Sequence, residues 1–172
     1  MKYYAPSGVD ENAESATLGV VGVMTAAFLV LLMVPSDDIP EVEEWEITSV
    51  CLDGHDGLVS HSHVSMSIEI DDQQYLVDPN VGISDSMCDG MRGIHTHDDS
   101  GTLHIETTSP MEAPLGAFFQ IWGKEFSQSR IIDSVADSDN EVVMYVNGAL
   151  SDEFENYLMQ DGDVIEIVYR DK

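Results

Sequence analysis

An uninterrupted apolar run, Ala16 to Val34, constrains this chain more than any other feature, because it carries no charge and ends at Pro35. Wound as a helix it spans about 28 Å, close to the roughly 30 Å hydrocarbon core of a bilayer. A cleaved signal peptide would carry a shorter apolar region behind a basic segment and would end in small residues. Here Asp10, Glu11 and Glu14 precede the run and no A-x-A site closes it. A buried core helix is the remaining alternative. The sequence therefore predicts a single-pass membrane protein: a cytoplasmic tail over 1–15, a transmembrane helix over 16–34, an acidic linker over 35–45 and one soluble domain over 46–172. Lys2 is the only basic side chain before the run and the next is Arg92, so the positive-inside tendency places the domain outside the cytoplasm.

Beyond Trp45 the apolar pattern moves to period two, the signature of strands. Strands are expected from Glu46 to Val50, and as a hairpin from His63–Ile70 and Gln73–Val77 around Asp71-Asp72. A second hairpin is expected from Arg92–His97 and Thr102–Thr107 around Asp98-Asp99-Ser100-Gly101, with glycine where a positive φ is needed. Pro114 to Gly123 has proline near its start and glycine at its end, and is the one soluble helix candidate; its aromatics are expected to pack on the sheet. Two further strands, Glu141–Gly148 and Asp161–Tyr169, flank a helical turn within Asp152–Met159. The expected fold is mainly β (α+β), a compact β-rich domain with one helix. Its C-terminal part, 114–172, resembles the end of β-grasp domains in its order of strand, Asn-Gly turn, Asp-Gly-Asp and strand.

All six histidines, His55, His61, His63, His95, His97 and His104, fall between positions 55 and 104. His61/His63, His95/His97 and His104/Glu106 are each two apart on predicted strands, so alternation puts both members of a pair on one face. If the three strands are neighbours, five imidazoles and a carboxylate converge. Imidazole is a neutral ligand for Zn, Cu, Fe or Ni near pH 7, whereas calcium or magnesium would want oxygen donors. His61, His63, His95, His97 and His104 are the expected ligands, with Glu106 as sixth ligand or general base. The competing reading is a set of solvated or hydrogen-bonded surface histidines. Asp98 serves either as a support or ligand beside His97 or as an Asx-turn residue. His55 sits in the glycine-flanked loop Asp53–Gly57 and is a weaker ligand candidate. Met66, Met87 and Met91 lie near the motifs, with Met66 expected in the core. Cys51 and Cys88 read first as one disulfide in an oxidising compartment, with a cysteine ligand to the metal as the rival.

Thirty-three acidic residues against six basic ones give a formal charge of −27, which excludes nucleic acid and anionic headgroups as partners of the domain. Such a lysine-poor surface resembles those of halophilic or marine archaea. There is no nucleophile triad, phosphate loop or nucleotide fingerprint. Three functions remain. The first is an extracytoplasmic metal-binding protein with copper preferred and zinc next, because exported copper proteins use histidine with methionine and the Irving–Williams order favours copper. The second is a metalloenzyme with Glu106 or Asp98 as general base. The third is a non-catalytic adhesion or membrane-complex subunit.

The succession His61-Ser62-His63, Pro79-Asn80-Val81-Gly82-Ile83, the stretch from His95-Thr96-His97 through His104-Ile105-Glu106, and Leu115 to Gly123 resembles an uncharacterised family of archaeal and bacterial exported or membrane-anchored proteins. The resemblance covers roughly residues 60 to 170 and implies a shared site without naming a reaction. Pro114 stands where that pattern has threonine.

Overall fold

A computed structural model of the protein describes residues 45–172. The expected tail, the membrane-spanning run and the linker up to Trp45 lie outside the described residues. Among those described, no helix is long and apolar enough to cross a membrane. After a 3-10 turn, Glu46–Ser49, come β1 (Cys51–Leu52), β2 (Ser60–Ile70), β3 (Gln73–Tyr75), β4 (Ile83–Asp85), β5 (Cys88–Arg92), β6 (Ile94–His95) and β7 (Thr102–Thr107). The one α-helix among the described residues, α1 (Leu115–Trp122), is followed by β8 (Phe126–Ser127), β9 (Arg130–Ile131), β10 (Ser134–Val135), β11 (Asn140–Val146), β12 (Ala149–Ser151), a 3-10 turn at Phe154–Asn156, and β13 (Val164–Asp171). The domain is mainly β, as the sequence predicts.

The main sheet has the order β12-β11-β13-β2-β7-β6, with β3 taking the edge of β2 that β7 leaves. At its centre β13 runs parallel to β2, pairing Val164 with Ser65 through Tyr169 with Ile70. Alternation sorts the two faces. Val64, Met66 and Ile68 of β2, Leu103 and Ile105 of β7, Ile94 of β6 and Ile165 and Ile167 of β13 are all buried with Leu115, Phe118 and Phe119 of α1. Each such side chain contributes about 1.5–3 kcal/mol by leaving water. Met66 is thus a core residue. The helix begins after Pro114 and ends at Gly123, whose φ of 70° closes it in the left-handed region.

The first expected strand is the main departure. Glu46 to Ser49 winds as a 3-10 turn because Thr48 Oγ1 and Ser49 Oγ donate back to the carbonyls of Trp45 (2.7 Å) and Glu46 (2.8 Å). Such local side-chain bonds compete with extended pairing, and Ile47 is buried by the turn. Pairing begins only at Cys51, in a small sheet ordered β1-β5-β4. A disulfide joins Cys51 and Cys88 there, so neither thiol is free to act as a ligand.

Candidate metal centre

The site is built on the face of β2, β7 and β6 opposite the apolar core. Antiparallel register sets His63 opposite His104 and His104 opposite His95, so three histidines form one row across three adjacent strands. One step along, His61 stands opposite Glu106. His97 lies just past the end of β6, two residues on from His95. The sheet brings the five histidines of the three i, i+2 pairs together, while Glu106 stands outside both sets they form.

Each motif is held from behind. The amide of His63 donates to Asp161 Oδ1 at 2.9 Å, and its carbonyl accepts from Gly162 at 2.8 Å. Thr96, wholly buried between His95 and His97, donates through Oγ1 to the Asp78 carbonyl at 2.9 Å and accepts there from the Val81 amide at 3.0 Å. Asp78 and Val81 thus clamp the His95-Thr96-His97 stretch. Asp98 Oδ1 accepts from the Ser100 amide at 3.0 Å, an Asx turn on the exposed surface. Its hydrogen bonds from Ser100 hold the carboxyl below the ordinary aspartate value. Gly101 follows at φ 80°, and its carbonyl accepts from the Met66 amide at 2.8 Å.

Two sets of three imidazoles could hold a metal ion: His61, His63 and His104, and His95, His97 and His104. Within each set one ligand nitrogen per ring lies within 4.8 Å of the others. The ring centroids of His63 and His97 each stand 4.6 Å from that of His104, edge-on to it. His95 Nδ1 donates to the Arg92 carbonyl at 3.0 Å. A carbonyl only accepts, so this bond fixes the proton on Nδ1 and leaves the lone pair on Nε2. His95 Nε2 is buried with no hydrogen-bond partner, as is His104 Nδ1. A buried nitrogen without a partner is costly, and metal ligation is what such a lone pair is suited to. Burial, followed by the neighbouring charges of His97, His95 and His63, pushes His104 down to about 4, and burial pushes His95 down as well. Both rings are therefore neutral at pH 7, the form that binds metal.

Glu106 is in neither set. Fully buried, it places Oε2 2.8 Å from His55 Nδ1 and Oε1 3.2 Å from His61 Nε2. The His61 ring comes close but makes no hydrogen bond to Oε1, which is left without a donor. This carboxylate is placed to orient histidines from the side rather than to stand among the ligand nitrogens. Spacing could not bring His55 here, since its loop returns over Glu106 from 51 residues away. The only available signal was that it is one of the six clustered histidines. Of the methionines near the motifs, Met87 is exposed.

Comparisons with protein-family models, with curated proteins and with solved structures give no match.

Proposed function

We propose that this is a membrane-anchored, extracytoplasmic metal-binding protein whose resident ion is copper, with zinc next. The observation that carries the reading is the row His63–His104–His95, which gathers two sets of three imidazoles on rigid neighbouring strands and leaves two buried ring nitrogens without partners. Nitrogen-only donor sets suit copper and zinc and not calcium or magnesium, and the Irving–Williams order favours copper for a given site. The joined Cys51 and Cys88 support an oxidising compartment. The uncharged run over 16–34 supports the anchor. The parallel pairing of β13 with β2, with α1 crossing between hairpins, supports a β-grasp arrangement that reaches beyond 114–172 to include β2 and β7.

The metalloenzyme reading has one observation in its favour. His61, His63 and His97 are solvent-exposed, so an ion held by three imidazoles keeps an open position for water or a substrate. Glu106 would then act through His61 and His55, since those are the groups it touches.

The test is elemental analysis of the purified chain beside its His95→Ala/His97→Ala variant. Metal is expected in the parent and at least half of it lost from the variant. No retained metal in the parent, together with an unchanged melting temperature in the variant, removes both metal readings.

A further inference from the structure

β7 lies between β2 and β6, and the two sets of imidazoles flank it. Neighbouring strands are about 4.8 Å apart, so the backbones of His63 and His95 are separated by about 10 Å with His104 between them. The nitrogens of His61 and His63 on one side and of His95 and His97 on the other fall into no common set, so the rings gather around two places rather than one. Each side nevertheless supplies a full pair of imidazoles, and His104 is the one ring common to both.

We infer that the centre holds two metal ions, one with His61 and His63 and one with His95 and His97, bridged by His104 through its two ring nitrogens. This rests on the metal-binding reading and goes beyond it by adding a second ion and a role for the shared ring. A neutral imidazole has one free lone pair. Ligation of the second ion therefore releases the remaining His104 ring proton to solvent and makes the ring an imidazolate. Its nitrogens point away from each other, which sets the ions about 6 Å apart given bonds of about 2 Å at each end. His104 Nδ1 is buried and unpartnered, so no protein hydrogen bond has to break for that end to ligate. Two dications in one pocket also need negative charge nearby. The imidazolate supplies one charge, and the wholly buried carboxylate of Glu106, next to His61, supplies another.

The 172-residue chain is loaded with Cu(II) and stripped of loosely held ion on a chelating resin. Copper per chain is then measured by elemental analysis and unpaired spins by electron paramagnetic resonance. The expected result is two coppers per chain with most of the resonance missing, because ions joined through one imidazolate couple antiferromagnetically. His63→Ala and His97→Ala, both at exposed positions, are each expected to keep one copper and to regain a full one-copper signal, with unchanged far-ultraviolet circular dichroism. One copper in the parent overturns the two-ion inference and leaves the metal-binding reading standing. Two coppers with undiminished resonance overturn the bridge. No retained copper or zinc overturns both readings.

Discussion

His55 Nδ1 lies 2.8 Å from Glu106 Oε2, joining a loop before β2 to the histidine-bearing face of β7 across 51 residues of sequence. The same carboxylate faces His61, opposite it in the sheet. Oε1 takes no hydrogen bond from His61, so Glu106 acts on that side through its charge, which favours a cation held beside it. Glu106→Gln keeps the volume and removes the charge. Competition titration against a chelator is expected to show a loss greater than twofold, on the side of His61 and His63. An affinity within twofold of the parent would mean that Glu106 only fills space.

The depressed His104 and His95 give the metal-free domain a pH dependence of definite sign. Burial lowers both in the folded state, His104 to about 4, whereas in the unfolded chain they titrate near the ordinary value of about 6.5. Below that value the unfolded chain takes up protons that the folded chain refuses. The stability is fully present above about pH 6.5 and falls as the pH drops toward 4. Asp85 and Asp163, both held low in the folded state, add losses only below the ordinary aspartate value. Urea melts of metal-free protein at pH 7.5, 6 and 5 are expected to show falling midpoints. His104→Gln is expected to flatten that slope; equal slopes in both proteins refute the assignment.

Backbone geometry explains which parts of this site were legible in the sequence. That His61 and His63 share a face follows from the two-residue repeat of any strand, and the pairing of β6 with β7 follows from the turn at Asp98 to Gly101. The pairing of β2 with β7 spans some forty residues and has no local signal, so adjacency of all three motifs had to be assumed. Glu106 reads as a sixth ligand because it shares a face with His104, yet register sets it against His61 and outside both imidazole sets. Glu46 to Val50 alternates like a strand, but Thr48 and Ser49 turn their hydroxyls onto the preceding carbonyls and wind it into a turn. Thr96 gives no hint in sequence that it is the clamped residue between two histidines, because its partners, Asp78 and Val81, are set by tertiary contact.

The Cys51–Cys88 disulfide closes 37 residues of chain, including the His55 loop and all of β2. Chain-entropy arguments assign such a loop about 3–4 kcal/mol. β1 is only two residues long and pairs with β5 through just Cys51↔Arg92 and Leu52↔Met91, so little else holds this edge. The Cys51→Ser/Cys88→Ser variant is expected to lose about 3 kcal/mol in chemical denaturation and to show faster amide exchange across 51–59. A loss below about 1 kcal/mol would mean that the small sheet holds itself together without the bond.

Gly101 ties the turn after His97 to the core sheet, and its lack of a side chain is what permits this. A Cβ built on it would lie 2.1 Å from the Met66 carbonyl oxygen, and its φ of 80° is one that other residues adopt only with strain. The Gly101 carbonyl also accepts from the Met66 amide, so the turn cannot back away without losing that bond. Gly101→Ala therefore combines strain, a backbone clash and a broken hydrogen bond, and is expected to cost about 2–4 kcal/mol. Because the same turn carries His97 into its edge-on contact with His104, metal held with His95 and His97 should weaken more than metal held with His61 and His63. Asp99→Ala, at an exposed position in the same turn, serves as control and is expected to stay within about 0.5 kcal/mol of the parent. Urea melts give the stabilities, and metal titrations in the His63→Ala and His97→Ala backgrounds separate the two sides. A Gly101→Ala protein as stable as the parent would mean that the turn has room to move, and that the position of His97 does not depend on it.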